Sequence, residues 1–379
     1  MLRPYNARDK LDSRLRGNDD LIEKELQMKV GILGAGGMGE SVITHLQKCP
    51  EVNSIIAMDK REERVKELRE RFNIEATTEL KKILCDPEVR CVFVTSSNDA
   101  HAELTIQSLK AGKAVLCEKP MATTLEDAEA MVQCAESNNS FLQIGFELRY
   151  SYLYTKVKEW IDAGMLGEVV NTQCTYIASA WPKNTWRARG QGGPMFGEKL
   201  SHYVDLPRWW IGSNVTEIYA ACAPNTIPYY QLHDNYQGTY RFANGAVSHI
   251  TFMMAPAATF DGDPLQNVID QQSGDGHTLR FLIQGTRGAA ETDVFARALK
   301  RWEFGDSPEK FISKWTETIT WDESEDHLWF HNTLDQTKDV IRRVAQGLPP
   351  ATPARDAYET MRLCFAAEES AQSGRVVAL

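Results

Sequence analysis

The chain has 379 residues, enough for two ordinary domains, and 42% of them are hydrophobic, enough to bury a sizeable core. A formal net charge of −10 argues against nucleic acid or an anionic membrane surface as the main partner. No apolar run approaches the roughly 20 residues that a membrane-crossing helix needs. The eight cysteines are scattered without a CxxC pair, so neither a zinc ribbon nor a disulfide framework is indicated, and reduced thiols in a cytoplasmic protein are expected.

Residues 1–27 are rich in Arg, Asp and Asn, show no apolar period and contain no signal-peptide apolar segment. They read as a disordered or non-native upstream extension without chemistry, with the fold starting at Met28. Residues 30–33 form a short apolar strand that runs into Gly34-Ala35-Gly36-Gly37-Met38-Gly39, and a helical pattern follows to Leu46. Each glycine has a mechanical reason: Gly34 for the tight turn, Gly36 for close approach of backbone to a pyrophosphate, Gly39 for helix–strand packing. The helix start, with Gly37 and Met38, offers free N–H groups to phosphate. A second strand, 54–58, ends at Asp59. A carboxylate there accepts hydrogen bonds from an adenosine ribose and repels a 2′-phosphate, which favours NAD and leaves NADP open. Lys60 and Arg61 either soften that preference or simply open a charged helix over 61–72.

The alternation continues with a strand at 92–95, the loop Ser96-Ser97-Asn98-Asp99-Ala100-His101, and a helix that stops at Gly112. The strand 114–117 ends in the turn Glu118-Lys119-Pro120. Thr123 and Thr124, with Glu126 and Asp127 three residues on, signal a helix start, and 142–146 is a last strand. Regular alternation predicts a doubly wound parallel sheet over residues 28–148. Its loops 34–39, 96–101 and 118–121 should line a ligand crevice. Lys119, just beyond a strand of that sheet, is placed to trade protons with a substrate while the cofactor trades hydride.

From 149 to 350 the pattern changes. Two helical stretches lead to Gly164 and Gly167, and strand-like runs follow at 169–177, 215–221, 237–242, 246–253, 278–284 and 289–292. This predicts an α+β substrate-binding and oligomerisation domain with a largely antiparallel open sheet. Helices are expected over 324–346 and 354–372, the latter packing back on the first domain. Arg149 and Tyr150 follow the last strand of the first domain as candidate substrate contacts. The segment Trp181-Pro182-Lys183-Asn184-Thr185-Trp186-Arg187-Ala188-Arg189 offers aromatic faces such as Trp181 to a sugar ring and the Arg187 fork to an acidic or phosphorylated one. A lid or an oligomer contact is the other reading of that loop. His327 and His331, four apart, suit a metal only with a third ligand, which the sequence does not supply. They read as a surface helix, His233-Asp234 and Asp275-Gly276-His277 read as turns, and no metal is expected.

The Gly34–Gly39 loop with Asp59, the Glu118-Lys119-Pro120 turn, and the stretch from Gly192 to Leu206 that carries Glu198 and His202 resemble the glucose–fructose oxidoreductase / inositol dehydrogenase (Gfo/Idh/MocA) family. The resemblance covers residues 28–379. It implies binding of NAD(H) or NADP(H) and oxidation or reduction of a hydroxyl on a sugar, cyclitol or sugar acid. It also implies that Lys119 and His202 are catalytic, with Glu198 where the family usually has Asp. Glutamate keeps the charge but reaches about 1.5 Å further, so a catalytic role and a structural ion pair are both open. Glu118 is expected at the nicotinamide ribose, and Ser96, Asn98 and His101 near the cofactor, with helix capping as the alternative for Asn98 and His101.

Loss of hydride from a carbinol carbon requires a base near the working pH. His202 suits this directly, with Lys119 orienting and polarising the substrate oxygen; the reverse assignment stays open, because coupled groups resist individual labels. Two other functions share these residues: a glycosidase-like enzyme using transient oxidation and elimination, and a non-catalytic NAD-binding sugar sensor. An open sheet face in the second domain predicts a homodimer or homotetramer.

Overall fold

The computed structural model describes residues 27–183, 185–259 and 275–379; the expected extension, up to residue 26, lies outside the described residues. The first half alternates as its apolar periods require. β1 (Met28–Leu33) leads into α1 (Gly37–Leu46), β2 (Val52–Met58) into α2 (Glu62–Phe72), and the short β3 (Glu75–Thr77) into α3 (Lys81–Leu84). β4 (Val89–Val94) leads into α4 (His101–Lys110), β5 (Ala114–Glu118) into α5 (Leu125–Ser137), and β6 (Leu142–Gly145) completes the set. At the start of α5 the Thr124 hydroxyl accepts the Asp127 N–H at 3.1 Å, the expected cap.

These six strands form one parallel sheet in the order β3-β2-β1-β4-β5-β6. Successive side chains point to opposite faces, so one strand feeds two cores. Val30, Ile32, Phe93 and Leu116 join Val42, Ile43 and Leu46 of α1 on one side. Leu33, Val92, Val94, Val115 and Cys117 join Met131 and Val132 of α5 on the other. Burial on both faces is why these strands read as continuous apolar runs. The order reverses between β1 and β4, so the loops leaving β1, β4 and β5 gather at one carboxyl edge.

A 3-10 turn at Glu147–Tyr150 opens the second half. It is followed by α6 (Tyr152–Asp162), β7 (Val169–Ala178), and a π-helical turn at Phe196–Leu200 that runs straight into α7 (Ser201–Ile211). Then come β8 (Val215–Ala221), β9 (Asn235–Phe242), β10 (Val247–Met254), β11 (Thr278–Gly285), β12 (Gly288–Asp293), β13 (Ala298–Asp306) and β14 (Phe311–Thr320). The chain ends with α8 (Asp326–Trp329), α9 (Thr333–Gln346), α10 (Ala354–Ser373) and β15 (Val377–Ala378). The second sheet runs β14-β13-β12-β11-β7-β10-β9-β8-β15. It is antiparallel apart from the parallel β7–β10 pair. Every second residue of β9, β10 and β11 is buried, giving one face on a core with Tyr154, Trp210, Phe252 and Phe281.

Three features depart from the sequence reading. β13 and β14 went unpredicted: β14 is a sheet edge with no buried residue, so burial imposes no apolar period on it. The predicted 324–346 helix breaks at 330–332, where Asn332 caps α9 by accepting the Asp335 N–H at 3.1 Å. His327 and His331 therefore do not share a helix. Finally, α9 does not stay with the second sheet: Val340 and Ile341 pack beside α1 on the nucleotide sheet. α10 joins the two halves, with Ala357 and Met361 in one core and Leu363, Ala366 and Ala367 in the other.

Candidate active site

The chain leaving β1 turns at Gly34 with φ +94°. A Cβ there would lie 2.4 Å from Ser96 Cα, and one on Gly39 would lie 2.5 Å from the Gly34 carbonyl oxygen, so both positions demand glycine. A Cβ on Gly36 would meet nothing within 4 Å. The space beside Gly36 is thus open at the start of α1, which has no side-chain cap, and the N–H groups of Gly37, Met38 and Gly39 are available to an anion. This cradle fits the pyrophosphate of a dinucleotide.

Asp59 is buried just past β2. Its Oδ1 accepts from Arg61 N at 3.1 Å and Arg61 Nε at 2.9 Å, and its Oδ2 from Arg61 Nη2 at 3.2 Å. Burial pushes this carboxyl up, but the Arg61 hydrogen bonds prevail and hold it below its usual range. Lys60 is exposed. Beyond β4, Ser96 lies against Gly34, and Asn98 Nδ2 donates to the Gly192 carbonyl at 2.9 Å, joining this loop to the second half. His101 is buried, with Nδ1 2.7 Å from Pro120 O and Nε2 3.2 Å from Ser96 O. Burial pushes its pKa down. Its ring clamps the Ser96 loop to the Glu118-Lys119-Pro120 turn.

Lys119 Nζ donates to the backbone carbonyl of Glu198 at 2.8 Å. Glu198 sits in the π-helical turn, buried, and its Oε1 accepts Arg187 Nε at 2.8 Å. Burial alone would raise this carboxyl; Lys119 and then Arg187 hold it below its usual range. The turn is pinned from beneath, where Glu368 accepts the Phe196 N–H at 3.0 Å and the Tyr236 hydroxyl at 2.8 Å.

His202, four residues past Glu198, is buried at the start of α7 with the edge of Phe146 against its ring. Its Nε2 lies 3.2 Å from Oε1 of Glu147. That approach is close enough for an ion pair but off the line of a hydrogen bond, so both ring nitrogens and Glu147 Oε2 stay without hydrogen-bond partners. Burial pushes the His202 pKa down, and Glu147 only partly offsets this. Burial would raise the Glu147 carboxyl, but His202 and His331 hold it well below its usual range. Glu118 is buried beside it with Oε1 unpartnered. Burial and then the Glu147 charge push Glu118 up to about 8, so Glu118 holds a proton while Glu147 holds the charge. Sequence reasoning missed Glu147; it belongs to no motif, and only its position two residues after β6 ends at Gly145 pointed to the carboxyl edge.

The softer candidates divide. Arg149 is half-buried and its guanidinium is already engaged, bidentate on Asp205 at 2.7 Å with Asp356 2.8 Å away. The Tyr150 hydroxyl donates to Asp339 at 2.8 Å. Both residues line a surface cavity of about 360 Å³ that shares no lining residue with Lys119, Glu198 and His202. Residues 181–183 and 185–189 do come to the site. Trp181 stacks on Tyr230, and the Arg187 guanidinium lies 5.8 Å from the Trp181 ring and 4.8 Å from Trp186. Arg187 is committed to Glu198 rather than left open for an anion. His277 joins Asp275, with 2.6 Å between ring and carboxylate, in a turn as expected.

Comparisons with known proteins agree with this geometry. Residues 28–146 match the model of the oxidoreductase family with an NAD-binding Rossmann fold, and residues 154–291 match the GFO/IDH/MocA C-terminal domain. The chain is 26% identical to myo-inositol 2-dehydrogenase of Thermotoga maritima, over 93% of this chain and 98% of that one. It is 28% identical to levoglucosan dehydrogenase of Pseudarthrobacter phenanthrenivorans, over 49% of this chain and 51% of that one. Among solved structures, a levoglucosan dehydrogenase in complex with NADH superposes with a TM-score of 0.78 at 22% identity, over 93% of this chain and 99% of that one. The Rossmann sheet, the glycine cradle and both family matches make this chain a member of the Gfo/Idh/MocA family of NAD-dependent oxidoreductases.

Proposed function

We propose that this enzyme oxidises or reduces a ring hydroxyl of a cyclitol or closed-ring sugar, with His202 as the proton acceptor in the oxidation direction and Lys119 holding the substrate oxygen. The observation that carries this is the convergence of Lys119, Glu198, His202 and Glu147 from both halves of the chain at the carboxyl edge of the nucleotide sheet. A bound nicotinamide supplies the hydride acceptor. The chain supplies the rest. The glycine cradle and Asp59 hold the dinucleotide; Glu118, protonated and buried, is poised to donate a hydrogen bond to the nicotinamide ribose.

Lys119, anchored to a carbonyl oxygen, acts as a cationic donor that stabilises alkoxide character. His202, kept neutral by burial, is ready to take the hydroxyl proton. Glu198, tied to Arg187, positions the aromatic loop over the site. Trp181 and Trp186 offer faces to the apolar side of a sugar ring. The wet face of the second sheet, with Tyr219 and Leu282 exposed, supports a homodimer or homotetramer, and eight free thiols suit a reducing cytoplasm.

A screen of cyclitols, anhydrosugars, aldoses and uronates with NAD, read by NADH absorbance, tests the proposal. NADH formation with a cyclitol or closed-ring sugar is expected. Sugar turnover without net NADH would favour the oxidation–elimination chemistry instead.

A further inference from the structure

The proposed proton acceptor and its carboxylate neighbour are closed to water. His202 has 3% of its side chain exposed and Glu147 has 4%, whereas His331 has 43%. The two imidazoles converge on one carboxylate oxygen, with His331 Nδ1 2.8 Å from Glu147 Oε1 and His202 Nε2 3.2 Å from the same atom. Their ring centroids are 6.1 Å apart.

The five titratable groups here come from separate elements: Glu118 from β5, Lys119 from the following turn, Glu147 from the 3-10 turn, His202 from α7, and His331 from the link between α8 and α9. Lys119 is already donating to a carbonyl, and Glu118 already holds a proton. Only Glu147 and His331 continue outward. A buried carboxylate is costly unless paired, and one imidazole would suffice to pair it. The second, at the surface, is open to water.

We infer that Glu147 and His331 form the proton exit of the active site, passing the substrate's hydroxyl proton from His202 to solvent. The inference rests on the dehydrogenase reading above. In oxidation, the C–H electron pair leaves as hydride for the oxidised nicotinamide, the carbonyl forms, and the O–H proton passes to His202 through Nδ1, the ring nitrogen that does not face Glu147. Once its ring turns onto the 3.2 Å line, His202 releases a proton from Nε2 to Glu147 Oε1; His331, its own proton moved through water from Nδ1 to Nε2, accepts that proton on Nδ1 and gives the Nε2 proton to water, and both rings then return to their starting tautomers. Reduction runs the same path inward. Glu147 and His331 touch neither substrate nor cofactor in this scheme; they are positioning and relay residues.

The test is stopped-flow oxidation of the best polyol found with NAD, following NADH absorbance and proton release to an indicator dye together, in weak buffer. In the wild type the two signals coincide. In His331→Ala the first NADH turnover is preserved, while proton release and steady-state turnover fall roughly 10- to 100-fold, at or below the lower end of what positioned proton transfer contributes. Imidazole in the buffer restores them in a saturable way. His331→Gln, which keeps a hydrogen-bond donor for Glu147 but carries no proton, is as slow as His331→Ala; a merely structural role would leave it at wild-type speed. Wild-type proton release in both variants would overturn the relay while leaving the dehydrogenase reading intact. Absence of NADH from every polyol in the wild type would overturn both.

Discussion

Lys119 Nζ donates to the main-chain carbonyl of Glu198, so the turn leaving the nucleotide sheet is fastened to the π-helical turn of the second half. The bond uses one of three ammonium donors, and the anchor is peptide oxygen, which cannot take the proton away. Lys119→Ala should therefore lower kcat/KM by roughly 10²- to 10⁴-fold with the fold intact by circular dichroism. Lys119→Arg should be nearly as impaired, because a planar fork cannot replace a point charge at this carbonyl. Steady-state kinetics on the two variants check both.

Arg187 bonds Glu198 from the other side. The sequence alone pointed this guanidinium at an acidic sugar, but it is already paired. Arg187→Ala should then raise KM for neutral cyclitols and for uronates alike. It should also raise the Glu198 pKa, because Arg187 no longer joins Lys119 in opposing burial, and bring the titration of this carboxyl closer to the acid limb set by His202. A pH–rate profile of the variant reads the shift.

The Asp59–Arg61 pair is expected to set the cofactor preference. With the carboxylate present, Arg61 is held by it through three hydrogen bonds. Asp59→Ala should remove the proposed ribose acceptor and release the guanidinium for a 2′-phosphate. The Kd for NAD should rise about 10- to 100-fold, as expected for loss of a charge-assisted hydrogen bond, and the Kd for NADP should fall. Fluorescence titration with each reduced cofactor measures this without catalysis.

Glu118 gives a stability signature. Its folded pKa lies at about 8 against an ordinary 4.5, so the unfolded chain releases this proton first. Its contribution is complete below about 4.5, declines as the pH rises toward about 8, and is flat above. Glu118→Gln mimics the protonated carboxyl. The Tm of this variant, measured without cofactor, should pull ahead of the wild type between those limits and hold its lead above them.

Much of the fold was readable because burial writes itself into sequence. β1, β4 and β5 are covered on both faces and appear as apolar runs, and Gly34 and Gly39 are forced by contacts under 3 Å. The edge strand β14 buries nothing and left no such mark. Lys119, Glu198 and His202 were legible through motifs. Glu147 and His331 were not, because they are 184 positions apart and meet only once α9 docks on the nucleotide sheet. Arg149 misled because strand-end position suggests a site, whereas its bidentate Asp205 partner comes from α7, 56 residues on.

The central claim is that His202, held neutral in a dry pocket, takes the proton while Lys119 holds the oxygen. The most direct measurement is kcat/KM for polyol oxidation with NAD across pH, for the wild type and His202→Gln. The wild type should lose activity only as pH falls through a pKa below the ordinary 6.5, since burial depresses it. His202→Gln should lose roughly 10²- to 10⁴-fold and show no such limb. A His202→Gln enzyme with wild-type rate and an unchanged profile would contradict the account.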